Sequence, residues 1–304
     1  MARVDYQKTF SQLLLGYLDS GVPISKESLF AHPSLGTAKD ATKLKHLKKF
    51  FQEKPEFFGS VLGVLPPSNS IIDMAEKRLG EPVTEDNVVS MNRACADIVK
   101  AAFEPVVEQV VREGLFEHIE SDICTIPLKE LMTFLLGDFA EFSKGAGNGL
   151  VSVAGTLNEL LLIRCLENIG MESTSFSQTG AESEGDIIVH STSSNKGNLG
   201  IEIKSYHARE RLLRGLRDLN RPKVGAGYFI DASEFNEGRT RLLLQTQAAA
   251  IYMPQETLDL LASDARSITS QDIISFGSRF YRPIEIFATD MLSYSKSGEL
   301  PSYP

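Results

Sequence analysis

Apolar residues recur at helical spacing through the first half of the chain. Between residues 6 and 19 they fall at Phe10, Leu13, Leu14, Tyr17 and Leu18, which predicts an amphipathic helix stopped by Gly21-Val22-Pro23. Residues 25–30 restart a helix that His32-Pro33 ends. Over residues 37–53, Leu44, Leu47, Phe50 and Phe51 mark an apolar face against Lys39, Lys43, Lys45, His46, Lys48 and Lys49. That predicts a helix with a solvated lysine face, or one that lays this face on phosphates. Leu65-Pro66-Pro67-Ser68-Asn69 then punctuates the chain. Helices are expected over 71–79 and 85–114, the second kinked or broken at Pro105, and again from Pro127 through Leu128, Leu131, Met132, Leu135 and Phe139. Gly145, Gly147 and Gly149 read as a flexible connector, because no Gly-Lys-Ser/Thr follows to make a phosphate cradle.

Beyond this connector the pattern changes. Residues 155–169 are apolar on most sides, as in a buried helix. Ile187-Ile188-Val189 and Gly200-Ile201-Glu202-Ile203-Lys204 then read as two strands, and the polar run from Ser191 to Asn198 supplies the turn of a hairpin. Residues 225–231 predict a strand, 240–247 a helix and 249–253 a further strand, a spacing that implies a parallel crossover. Helices are expected over 256–261 and 272–280, and the polar tail over 293–304 is expected to be loosely ordered. The pattern divides the chain into a mostly helical region, 1–150, and an α/β domain, 151–304.

Composition narrows the class. A chain of 304 residues accommodates one large domain or two ordinary ones. No continuous apolar run approaches a membrane-spanning length, and the N-terminal residues lack a basic-then-apolar leader pattern, so a cytoplasmic location is expected. Cys95, Cys124 and Cys165 are odd in number, widely spaced and in apolar surroundings. They suit reduced, mostly buried thiols better than a disulfide framework or a zinc site. With 31 basic and 40 acidic residues the net charge is −9, which at first disfavours a nucleic-acid partner. The basic residues are not spread evenly, however. His207, Arg209, Arg211, Arg214, Arg217, Arg221 and Lys223 crowd one amphipathic segment with Leu212, Leu213, Leu216 and Leu219, and a local patch of this kind draws phosphate to an acidic protein.

That segment directly follows the residues best suited to chemistry. In a strand alternate side chains share a face, so Glu202 and Lys204 point one way and Ile201 and Ile203 the other. The hairpin brings Asp186 near both. Two carboxylates and an ammonium at one sheet edge suit a divalent metal with a proton-handling neighbour. Upstream, Glu159 has Leu162, Ile163 and Leu166 at helical spacing, which places a carboxylate on an apolar face, where it is costly unless paired or metal-bound.

A helix bearing Glu159, Asp186 opening one strand, and Glu202-Ile203-Lys204 on the next resemble the PD-(D/E)XK nuclease superfamily, and within it a type II restriction endonuclease. The likeness covers about residues 155–255. Gly185 departs from it, standing where the family name has Pro, a variable position without a chemical role. The resemblance implies a mixed α+β sheet flanked by helices as the catalytic core; residues 1–150, which it does not cover, are large enough to serve recognition or dimer contacts. It implies that Asp186 and Glu202, with the Ile203 carbonyl, hold Mg²⁺, that Lys204 orients or deprotonates water, and that Glu159 tunes the metal site. His207 is expected near the site or on phosphate. The activity implied is Mg²⁺-dependent, sequence-specific cleavage of double-stranded DNA by a homodimer. A repair or mobile-element nuclease of the same superfamily, and a non-catalytic DNA-binding protein, are the alternative readings.

Overall fold

The computed structural model describes residues 4–120, 122–179, 185–193, 197–205, 209–220, 222–263, 265–266 and 279–303. The chain separates into two compact units, Met1–Ala75 with Cys95–Leu150 and Glu76–Ala94 with Val151–Pro304. The segment Glu76–Ala94, read above with the helical half, therefore packs with the second unit.

In the first unit, α1 (Tyr6–Ser20) starts where Asp5 Oδ1 accepts from the Lys8 amide and stops at Gly21, whose φ of +67° closes the helix. Strand β1 (Ile24–Ser25) leads into α2 (Lys26–Phe30), and α3 (Asp40–Glu53) precedes β2 (Val61–Leu62), which pairs with β1 in parallel. Phe10, Leu14, Leu29, Leu47, Phe50, Phe51 and Phe57 form their common core. The expected lysine face of α3 is corrected in part. Lys43 is buried and its ammonium donates to the Phe30 carbonyl, while the His46 ring stacks on Tyr6 at 4.2 Å. An ammonium on a long stem reaches a carbonyl that the local turn leaves open, which periodicity does not register.

Helix α4 (Ser68–Leu79) is followed by α5 (Val88–Gly114), which carries Pro105 inside it, by the short antiparallel pair β3 (Ile119–Glu120) and β4 (Ile123–Cys124), and by α6 (Leu128–Leu136). Cys95 and Cys165 are buried as expected, but Cys124 is exposed on β4. Helix α7 (Asp138–Asn168) overturns the connector reading, since it runs unbroken through Gly145, Gly147 and Gly149. Those glycines each cost a helix about 1 kcal/mol relative to alanine. The turns just before them are held by aromatic contacts: Phe139 packs on Phe134, and Phe142 stacks on Phe103 at 5.9 Å. The stretch Leu128–Asn168 is also long and apolar enough, by length and composition, to cross a membrane, with 33% of its apolar window buried. Leucine, valine and isoleucine raise its mean hydropathy, while Asn158, Glu159 and Arg164 interrupt them, so no continuous apolar run reaches spanning length. A core helix passes the same test, and Leu157, Leu161, Leu162 and Leu166 of α7 are buried.

The second unit is mixed α/β, built on a six-stranded mixed sheet. Strands β5 (Phe176–Gln178), β6 (Ile187–Val189) and β7 (Leu199–Lys204) are antiparallel neighbours. Strands β8 (Lys223–Gly227), β9 (Ala250–Met253) and β10 (Tyr281–Pro283) continue the sheet in parallel. Helix α8 (Arg209–Asp218) connects β7 to β8, and α9 (Glu237–Leu244) connects β8 to β9, as expected of parallel neighbours. Leu212, Leu213 and Leu216 of α8, Leu243 of α9, and Ile251 and Met253 of β9 share one core on one face of the sheet. Tyr252, pointing the opposite way from its neighbours in β9, meets Phe287 of the C-terminal helix edge-on at 5.3 Å. Helix α10 (Gln255–Asp259) follows β9; the helix expected over 272–280 lies, but for its last two residues, outside the described residues.

The expected loose tail is corrected too. Phe287–Ser297 is a helix with Tyr294 and Ser295 buried, and beyond it the Pro301 carbonyl accepts from Arg282 at 2.9 Å. Polar composition misleads here because the polar atoms are engaged: Ser295 O accepts from the Thr192 amide at 2.8 Å, and Tyr294 donates to the Gly197 carbonyl.

Candidate active site

The hairpin register places the acids. Ile187 pairs with Ile201 and Val189 with Leu199, so the residue preceding β6, Asp186, lies opposite Glu202. The Asp186 amide donates to the Ile201 carbonyl at 2.8 Å, and its Oδ2 accepts from the Ile203 amide at 2.6 Å. A carboxylate bonded to a strand amide is fixed in direction as well as in place. Gly185 makes this turn possible. Its φ is +84°, and a Cβ there would fall 2.8 Å from the Ile201 carbonyl oxygen. Proline, confined near φ −65°, does not fit this backbone.

Lys204 joins the two acids. Its ammonium lies 2.5 Å from Glu202 Oε1 and 3.5 Å from Asp186 Oδ2. The Glu202 side chain is 8% exposed, against 25% for Asp186 and 23% for Lys204. Burial pushes the Glu202 carboxyl above the usual carboxylate range; the Lys204 charge opposes this, and the charges of Asp186 and Asp218 add to it. Glu159, on α7, accepts from Gln178 Nε2 at 2.9 Å. Burial raises its carboxyl as well, the bond from Gln178 works against the rise, and the Asp186 charge works with it.

These side chains face one cavity of about 760 Å³, lined by Glu159, Gln178, Thr179, Gly185, Asp186, Glu202, Lys204, Arg211, Arg214, Gly215 and Asp218. Of the basic segment, Arg211 and Arg214 reach the cavity, and Arg217 is exposed on the same helix. Arg209 begins α8, whereas His207 and Arg221 lie outside the described residues. Lys223 is corrected. It is buried in β8 with its ammonium on the Leu219 carbonyl at 2.7 Å, so it caps the preceding segment from inside and offers no surface charge. Gln178, Thr179, Gly215 and Asp218 are the cavity residues that motif reading missed. The one available signal was a glycine in the interior of an arginine-rich helix, which costs stability and usually has a packing reason.

Comparison with protein-family models, with curated proteins and with solved structures found no match.

The fit of a divalent cation therefore rests on the donor set alone. Among the described residues no three His, Cys, Asp or Glu side chains cluster tightly enough to enclose a metal by themselves. Asp186 and Glu202 do supply two hard carboxylate oxygens at one cavity wall, next to the backbone of Ile203. A site of two carboxylates completed by a backbone oxygen and water suits Mg²⁺, which keeps part of its hydration shell. The residues fit the ion.

Proposed function

We propose that this protein is a Mg²⁺-dependent nuclease that hydrolyses phosphodiester bonds of double-stranded DNA, of the restriction-endonuclease type. The observation that carries the reading is the convergence of Asp186, Glu202 and Lys204 in one cavity whose α8 wall presents Arg211 and Arg214. Acyl and glycosyl chemistry have no need of two arginines beside a carboxylate pair; a phosphodiester, negatively charged before and during attack, does.

In this reading Asp186 and Glu202 hold the cation with the Ile203 carbonyl. When bound, the cation lowers the pKa of water and neutralises charge on the phosphate. Arg211 and Arg214 draw the backbone phosphate to the cavity and orient it. Lys204, held between two carboxylates, is the group placed to orient the attacking water and move its proton. Glu159, steadied by Gln178, limits the far side of the cavity and adds negative charge near Asp186. The helical first unit would read sequence or build a homodimer whose two sites face a palindrome, in the cytoplasm.

The test is direct. Purified protein is incubated with mixed-sequence duplex DNA in Mg²⁺ or in chelator. Discrete Mg²⁺-dependent fragments are expected, and they are expected to vanish in Lys204→Ala. Uncut DNA under all conditions, or cleavage indifferent to Lys204→Ala, refutes the assignment.

A further inference from the structure

Glycine is a poor residue for the middle of a helix, yet Gly215 occupies that position in α8. A Cβ built there would fall 2.0 Å from Glu202 Oε1, 2.1 Å from its Cδ and 2.7 Å from its Oε2. The whole carboxylate lies against bare helix backbone, in the volume that any other side chain at 215 takes.

Sheet register explains how helix and acid come so close. Glu202 pairs with Gly225, and Gly225 pairs with Ile251, so the three form one row across β7, β8 and β9. The row faces α8: a Cβ on Gly225 would meet Ile251 Cδ1 at 2.8 Å and Leu212 Cδ1 at 3.1 Å. With glycine at 225, Leu212 and Leu216 settle onto the sheet, and the helix descends until its backbone rests on the next member of the row, Glu202. There a glycine leaves room for the carboxylate.

We propose that Gly215 is the positioning residue of the site. Its bare Cα is a seat that holds the Glu202 carboxylate beside Lys204 and turned to the cavity shared with Asp186. The contact stands on geometry alone; its meaning for cation binding rests on the nuclease reading above. The seat is one residue from Arg214 and one helical turn from Arg211, so the acid's support and the basic wall are parts of a single element. Any other residue at 215 must displace either the helix or the far end of Glu202. The carboxylate, as the end of a flexible side chain, is the part that gives way. The expected outcome of a substitution is a folded protein with a misdirected acid.

A double-mutant cycle in the full-length chain tests this, using Gly215→Ala, Glu202→Ala and the pair. In the Glu202→Ala background the added methyl meets open space, so the better helix former raises Tm by about 2–4 °C. With Glu202 present the gain is cancelled, because the methyl drives the carboxylate from Lys204. By calorimetric titration with Mn²⁺, Gly215→Ala weakens binding by about tenfold or more, and in the Glu202→Ala background it changes nothing further. Equal Tm shifts in both backgrounds, or unaltered Mn²⁺ affinity in Gly215→Ala, overturn the proposal. Coupled Tm shifts in a parent protein that binds no Mn²⁺ would uphold the seat and overturn the metal reading instead.

Discussion

Lys204 Nζ lies 2.5 Å from Glu202 Oε1, and the carboxylate is the more enclosed partner of the pair. The lysine offsets the charge of a desolvated acid and lines the cavity, and under the proposed nuclease reading it is also the proton-handling group. Removing it affects both. Lys204→Met is expected to lower DNA cleavage by about 10²–10⁴-fold, the range for losing a positioned acid–base group. It is also expected to cost about 1–3 kcal/mol of stability at neutral pH, because Glu202 is left buried without its partner. Urea denaturation of Lys204→Met against Lys204→Met/Glu202→Gln separates the two effects. The second variant should recover most of the stability and none of the activity.

Gly185 supplies a second prediction. Its φ of +84° and the 2.8 Å approach of a Cβ to the Ile201 carbonyl oppose both alanine and proline. Gly185→Ala should cost about 1–3 kcal/mol through backbone strain, and Gly185→Pro should cost more. Chemical denaturation midpoints check the order. A stabilised Gly185→Pro would mean that this turn is not the one described.

The strand residues of the candidate site were legible because strand alternation and a short hairpin leave little freedom. Once 187–189 pairs with 199–201, Asp186, Glu202 and Lys204 can only converge. Three things were not legible, each for a physical reason. Continuity of α7 through three glycines has no local signal, and the Phe103 ring that stacks on Phe142 just before them belongs to another helix, α5. The inward turns of Lys43 and Lys223 depend on single carbonyls that become available only after folding. Strands β5 and β10 are three residues each, too short to show a period, and they exist because their neighbours present open edges. Gly215 belongs to a fourth kind, a residue whose role is to be absent.

The C-terminal helix is fastened by charge. Arg282 Nη1 meets Asp290 Oδ2 at 2.6 Å, Tyr252 donates to the same oxygen at 2.6 Å, and Arg282 and Asp290 are both almost sealed from solvent. Asp290→Ala strands a buried guanidinium and should cost about 3–5 kcal/mol. An apolar replacement of both partners, Arg282→Met with Asp290→Leu, should cost less than Asp290→Ala alone, as equilibrium denaturation of the three proteins would reveal.

Glu285 gives a pH-dependent prediction away from the cavity. Burial holds its carboxyl above the ordinary value of 4.5, and the charges of Glu256 and Asp259 add to this, against a bond from the Gln255 amide. A carboxyl raised in the folded state binds its proton more tightly there than in the unfolded chain. Its contribution is fully present below the unfolded value and is lost as pH rises through the folded one. Glu285→Gln does not titrate and escapes that loss. The Tm of the variant minus that of the parent should therefore increase as pH rises from about 4 to about 7. A difference that is flat or falls across this window contradicts the assignment.

The last prediction concerns the two arginines through which the proposed reading has an acidic chain engage a polyanion. Arg211 and Arg214 stand on the cavity wall, and Arg214 is 82% exposed with Asp218 3.9 Å away, too weak an ion pair to hold it from another anion. If both arginines contact phosphates, each displaces condensed counterions, and each contributes about 0.9 to the slope of log affinity against log salt. Arg211→Ala/Arg214→Ala should flatten that slope by roughly 2, weaken binding to all duplex sequences alike, and leave Tm close to the parent's because neither side chain is core. Fluorescence anisotropy over a salt series, in Ca²⁺ to hold cleavage back, measures the slope. A slope unchanged by the double substitution would mean that phosphate approaches from another wall, and α8 would then be only the seat of Glu202.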